Sequence, residues 1–141
     1  MMAELTKIAR EVVDAFNASD WERSKAPLAP NTLYSEVGTQ RRIQGPAAIV
    51  QALQGWKQAM PDVKGTVTNA FASGNTAVLE VTWEGTHTGP LVGPGGTIPA
   101  SGKRQVTPSA WIFEFDGDKI RESRQYFDMM TLLQQIGAAP Q

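Results

Sequence analysis

The side chains of this sequence best equipped for chemistry gather near its C-terminal end. Glu122, Arg124, Tyr126 and Asp128 stand at every second position in and just beyond the run from Lys119 to Phe127. A spacing of two is the period of a strand, whose alternate side chains share a face. Gly117-Asp118 separates this run from a second strand-like run, Lys103 to Asp116, and suits the two-residue turn of a hairpin. With those two residues as the whole turn, Phe115 lies opposite Ile120, Phe113 opposite Glu122, Trp111 opposite Arg124, Ser109 opposite Tyr126 and Thr107 opposite Asp128. All ten then share one side. Aromatic rings interleaved with carboxylates and a guanidinium are uncommon on a face that only packs. They suit the wall of a concave ligand cavity. The bland alternative is a solvent face with Glu122 paired to Arg124, the core being supplied from the other side by Ala110, Ile112 and Phe127. One extra residue in the turn would carry Asp128 across the sheet.

The single histidine, His87, continues an apolar row formed by Ala77, Leu79, Val81 and Trp83. That position fits a hydrogen-bonded structural residue or a proton-handling one. One histidine excludes a multi-histidine metal site, and the absence of cysteine excludes disulfides, thiol nucleophiles, iron-sulfur ligation and thiolate zinc sites. Thirteen basic against fourteen acidic residues give a net charge of −1 with no basic block, so no nucleic-acid partner is expected. No stretch approaches the roughly 20 apolar residues that cross a bilayer, and Met1-Met2-Ala3-Glu4 opens neither a cationic region nor an apolar block. No membrane partner and a cytoplasmic location are expected. Two broad classes remain, an enzyme using acid, base or hydrogen-bond chemistry, or a domain that binds small molecules or partners.

The elements that must position these groups follow from periodicity. The 141 residues suit a single domain over 1–141, with a core large enough to stand without staples. Leu5, Ile8, Ala9, Val12, Val13 and Phe16 recur at three and four residues and predict a helix. Ser19 or Asp20 caps a short second helix from Trp21, stopped by Pro27 and Pro30. Thr32 to Glu36 and Arg41 to Gln44 read as short strands about a turn near Gly38. Gly45-Pro46 opens a helix with Ile49, Leu53, Trp56 and Met60 on its apolar face, ended by Pro61. The period then changes to two: Val63 to Ser73, Thr76 to His87, Lys103 to Asp116 and Lys119 to Phe127 are strands of an antiparallel meander, with Gly74-Asn75 as a second hairpin turn. A last helix runs from about Asp128 to Ile136, before Gly137. Helices first and strands later give an α+β class, N-terminal helices packing on a curved antiparallel sheet. From Thr88 to Gly102, fifteen residues with five glycines and three prolines form a long connection, expected to be a lid, a rim or a dimer contact.

The order of helices and long strands resembles the nuclear transport factor 2-like superfamily, a cone with a pocket at its open end, and within it the SnoaL-like polyketide cyclases. The resemblance spans nearly the whole chain. It is sharpest at Gly85-Thr86-His87-Thr88-Gly89-Pro90, at Gly102-Lys103-Arg104, and at Asp118-Lys119-Ile120-Arg121-Glu122 leading to Asp128 and Leu132-Leu133-Gln134-Gln135-Ile136-Gly137. It implies that the aspartate before the last helix, Asp128, is general acid and base in an intramolecular aldol closure without metal or cofactor. A carboxylate at the mouth of an aromatic cavity is poorly solvated, which raises its pKa and makes it a better base. An aspartate opening a helix can instead cap it, which lowers the pKa. Both roles stand at this point.

The resemblance also carries a departure. The cyclases place a histidine on the strand before the aspartate, where this chain has Trp111, Phe113 and Glu114, so His87, Arg124 or Tyr126 would have to polarise the substrate carbonyl. Arg124, Tyr126 and Asp128 also resemble part of the limonene-epoxide hydrolases, which makes epoxide hydrolysis the enzymatic alternative; a small-molecule-binding domain without chemistry is the other. The expected pocket is lined by Trp21, Tyr34, Trp56, Trp83, Trp111 and Phe113 and takes a small apolar ester or ketone. The expected assembly is a homodimer, from the family and from apolar area at Val78, Ile112 and Phe127.

Overall fold

The computed structural model describes residues 2–93 and 95–139. Helix α1 (Met2–Asn17) buries Leu5, Ala9, Val12, Val13 and Phe16, the stripe its periodicity dictates. Each large apolar side chain so buried contributes about 1.5–3 kcal/mol relative to exposure. Helix α2 (Trp21–Lys25) starts at Asp20, whose carboxylate accepts from the Arg23 amide at 3.2 Å. Strand β1 (Leu28–Glu36), a short 3-10 turn (Val37–Thr39) and β2 (Arg41–Gln44) form the first hairpin. Helix α3 (Pro46–Ala59) begins with Pro46 in its first turn and stops at Met60, the residue before Pro61. No helix among the described residues is long and apolar enough to cross a membrane.

The large sheet takes β3 (Lys64–Ser73), β4 (Thr76–Thr86), β7 (Arg104–Asp116) and β8 (Lys119–Phe127) in the order β2-β1-β8-β7-β4-β3, and α4 (Met129–Gln135) closes the chain. Every junction is antiparallel except one. Strand β1 runs parallel to β8, because the two begin side by side: the Ile120 amide donates to the Pro27 carbonyl at 2.8 Å and Lys119 Nζ to the Ala26 carbonyl at 2.7 Å. Helix α1 is fastened across the sheet by Asn17, whose side-chain amide makes a paired hydrogen bond with the Gly65 backbone, both arms 2.9 Å. The Trp83 ring fills the space left at Gly65, where a Cβ would lie 2.6 Å from it.

Two expectations need correction. The segment 88–102 is not one long loop but holds a small hairpin, β5 (Leu91–Gly93) and β6 (Gly96–Ile98), paired Leu91 to Ile98. Its stem is tied through His87, whose amide donates to the Lys103 carbonyl and whose carbonyl accepts from Ser101 and Gly102.

The second correction concerns register. The Gly117-Asp118 turn pairs Asp116 with Lys119 and Phe115 with Ile120, as the sequence predicts, but Arg121 is an extra residue after which Glu114 faces Glu122, Phe113 faces Ser123, Ile112 faces Arg124 and Trp111 faces Gln125. This bulge exchanges the two faces of β8. Ser123 and Gln125 turn inward and are buried, and Phe127 turns inward with them, away from the outer face expected for it. Glu122, Arg124 and Tyr126 turn outward beside Glu114 and Ile112. The physical reason is desolvation: burying neutral serine and glutamine with hydrogen-bond partners costs far less than burying a carboxylate and a guanidinium.

Candidate active site

The outward turn of β8 removes the expected catalytic group from the interior. Arg124 pairs with Glu114 at 2.8 Å and with Glu122 at 3.1 Å on the outer face, and Tyr126 is 43% exposed. The Glu114 carboxyl is held below the usual range by hydrogen bonds from Thr76 and Arg124. Asp128 is exposed and caps α4: one oxygen accepts from the Met130 amide at 3.0 Å and the other from Thr131 Oγ1 at 2.7 Å. The Thr131 hydroxyl and these amides lower its pKa, opposite to what a general base in an apolar hollow requires. With Arg124 and Asp128 outside, the residues that suggested an epoxide-hydrolase arrangement do not meet in a pocket.

His87 is buried, but at the root of the β5–β6 hairpin rather than on the wall of the interior cavity. Its Nδ1 accepts from the Ser101 amide at 3.2 Å and lies 2.9 Å from Ser101 Oγ, while Nε2 has no partner among the described residues. Burial lowers its pKa. Of the six expected pocket residues, Tyr34, Trp56 and Trp83 line the interior cavity. Trp111 and Phe113 do not; they stack on each other in the core with ring centres 5.0 Å apart. Trp21 does not line the cavity either; it packs edge-on against Phe16, which does.

The interior cavity has a volume of about 60 Å³ and is mostly apolar, walled by Phe16, Leu53, Met60, Val63, Phe127 and Leu132. Its one carboxylate is Glu36, 1% exposed, at the last position of β1. Alternation along β1 puts Thr32, Tyr34 and Glu36 on the inner side. Five donor contacts converge on the Glu36 side chain. Oε1 accepts from Thr39 Oγ1 at 2.6 Å and from Arg41 Nη2 and Nε at 2.6 and 3.1 Å. Oε2 accepts from Trp56 Nε1 at 3.0 Å and Tyr34 OH at 3.1 Å. The network continues inward: Gln125 Nε2 donates to Tyr34 OH at 2.9 Å, and Gln125 Oε1 accepts from Trp83 Nε1 at 2.7 Å and Ser109 Oγ at 3.0 Å. Burial and the Glu36 charge push the Tyr34 phenol well above its ordinary pKa, so it stays protonated and able to donate.

Chemically this is a buried carboxylate with a phenol and an amide within reach of one small cavity. Glu36, Gln125, Ser109 and Arg41 were not singled out from the sequence. Glu36 was within reach of it, since it stands two positions from Tyr34 in a strand-like run. Gln125 was hidden by the Arg121 bulge. No cluster of three or more metal-ligating side chains occurs among the described residues.

A curved sheet wrapped by helices around a mostly apolar hollow defines a cone of the ketosteroid isomerase-like kind, and solved structures agree. AclR of Streptomyces galilaeus, whose name carries a hydroxylase assignment, is 23% identical with a TM-score of 0.84, over 100% of this chain and 89% of that one. A Jannaschia sp. CCS1 protein, a SnoaL-like polyketide cyclase by name only, is 18% identical with a TM-score of 0.86, over 99% and 95%. IdmH of Streptomyces antibioticus, likewise a polyketide cyclase by name, is 20% identical with a TM-score of 0.79, over 94% and 98%. A search of curated proteins finds no significant match. The SnoaL-like polyketide cyclase family model matches residues 6–136, and the chain belongs to that family.

Proposed function

We propose that this protein moves a proton at a carbon next to a carbonyl, closing a ring or shifting a double bond in a small, largely apolar ketone or ester, with Glu36 as the proton-handling group. Family membership supports the cyclase or isomerase class. The observation that carries the assignment is Glu36 itself, a buried carboxylate on the wall of an apolar cavity with Tyr34 and Gln125 beside it.

In the proposed sequence Glu36 Oε2 takes the proton from the carbon, and the electron pair left behind forms an enolate. As Glu36 becomes neutral, the Tyr34 hydrogen turns to the enolate oxygen, with the Gln125 amide as a second donor. The enolate carbon then attacks a second carbonyl in the same molecule, or is reprotonated at another carbon. Glu36 returns its proton to the alkoxide or carbon that results, so no proton is gained or lost. Arg41 and Thr39, bound to Oε1, hold the carboxylate in place throughout.

The test is deuterium exchange at the α-carbon of cyclic ketones and β-ketoesters in D2O, followed by NMR, which needs no knowledge of the natural product. The protein accelerates exchange, Glu36→Gln slows it by about 10²–10⁴-fold, and Tyr34→Phe slows it by about 10²-fold, with circular dichroism unchanged. Wild-type exchange in folded Glu36→Gln overturns the assignment. Should that variant not fold, wild-type exchange in Tyr34→Phe does the same.

A further inference from the structure

A second, much larger space lies on the far side of Trp56. It has a volume of about 950 Å³, is partly open to solvent, and is bounded by the turn Val37–Thr39, β2, α3, the β5–β6 hairpin and α4. That volume falls within the range of small-molecule sites, about 300–1,000 Å³, whereas the interior cavity holds only a few heavy atoms. Trp56 lines both spaces. Glu36 faces the inner one, while Thr39 and Arg41, both bonded to it, face the outer one. The wall between them is therefore one hydrogen-bonded unit, the carboxylate on one side and the guanidinium on the other.

The outer chamber is kept open at a cost. Gly55 lies inside α3, where glycine is less stable than alanine by about 0.5–1 kcal/mol. No close contact requires it: a Cβ at Gly55 would meet nothing within 4 Å, and its backbone φ is ordinary. The residue lines the chamber, so what the glycine preserves is room. Ile43, Leu91, Ile98 and Leu133 give the chamber an apolar surface, and Arg41 is the only charged group among its lining residues. Arg41 spends Nε and Nη2 on Glu36 and Thr39, leaving Nη1 without a hydrogen bond among the described residues. Because Glu36 already balances the Arg41 charge, an oxygen arriving there meets a donor rather than a net positive field. An uncharged carbonyl fits that environment better than a carboxylate, which would face Glu36 across the pair.

We propose that the outer chamber binds an uncharged, largely apolar carbonyl compound, its oxygen directed to Arg41 at the partition. The proposal concerns where a ligand is held, so it stands or falls separately from the role of Glu36 as a base.

The experiment titrates the full chain with prodan, an uncharged naphthyl ketone whose emission moves to the blue in apolar surroundings. The expected result is one saturable, blue-shifted site per chain. Gly55→Leu projects an isobutyl group into the chamber and weakens binding by at least about tenfold, without lowering the thermal midpoint, because leucine is the better helix former. Thr107→Val, on the inner cavity, leaves the affinity within about twofold, and the anionic probe anilinonaphthalene sulfonate binds more weakly than prodan. Absence of a saturable site, an unchanged affinity in Gly55→Leu, a loss in Thr107→Val equal to that in Gly55→Leu, or tighter binding of the anionic probe overturns the proposal. Light scattering supplies the remaining outcome: an oligomer that Gly55→Leu converts to a monomer makes the chamber an interface between copies, and the proposal fails.

Discussion

Glu36 is held from two directions, and the two sets of partners differ in what they can give up. Arg41 and Thr39 bind Oε1 from the rim, where Arg41 is about 30% exposed and rehydrates readily. Tyr34 and Trp56 bind Oε2 from the side of the apolar cavity, where a lost hydrogen bond is replaced by solvent less readily than at the rim. Tyr34→Phe removes both the donor to Glu36 and the acceptor for Gln125, so it is expected to destabilise the fold by about 1–3 kcal/mol in urea unfolding. A change within error would mean that water already reaches Oε2. The same residues show what the sequence could disclose. Tyr34 was legible as a pocket residue from its type, and strand alternation makes Glu36 its neighbour on one face. What the sequence does not contain is the pair of distant elements, α3 bringing Trp56 and β8 bringing Gln125, that turn an isolated acid into a network.

At the level of elements, helices and long strands were readable because period and turn chemistry agree there. The apolar spacing of α1, Pro46 opening α3, and the glycine turns at Gly74 and Gly117 all state the same structure locally. The Arg121 bulge was not readable, since nothing in its neighbours demands it; it is set by which face of β8 the core can tolerate. The β5–β6 hairpin was obscured by glycine and proline, whose frequency favours irregular chain. The cap of α4 carries its own prediction. Asp128→Ala should quicken amide hydrogen exchange across Met130 to Gln135 and leave α-proton exchange of a ketone unchanged; lost turnover with α4 intact would return Asp128 to the chemistry. Gly38→Ala probes a tighter contact, because a Cβ there would lie 2.5–2.7 Å from the Phe127 ring. That ring closes the cavity beside Trp56, edge-on with centres 6.2 Å apart. Forcing it inward is expected to cost about 1–3 kcal/mol and to slow ketone exchange. A displaced Phe127 ring in the crystal structure with stability and activity unchanged would show that the ring yields freely.

For the whole molecule, the dependence of stability on pH follows from two buried groups at opposite ends of the scale. His87 is the only histidine, its pKa is lowered by burial, and it ties the stem of the hairpin that walls the outer chamber. The unfolded chain takes up that proton near pH 6.5 and the folded one only at lower pH. Stability from this group is therefore complete above pH 6.5 and falls as the pH drops below it, with a slope of at most about 1.4 kcal/mol per pH unit. Tyr34 acts in the other direction: its folded pKa lies well above 10.0, so the unfolded chain loses that proton first and stability falls as the pH rises past 10.0. Urea midpoints should decline from pH 6.5 to 5 and again above pH 10. His87→Gln should flatten the acid limb, since glutamine does not titrate, while carboxylates contribute mainly at still lower pH. An acid limb of equal slope in His87→Gln would mean that burial does not hold the imidazole neutral in the folded protein. If acid instead loosens the hairpin alone, prodan would be released before the far-ultraviolet signal changes, and the ordering of those two transitions tells local opening from global unfolding.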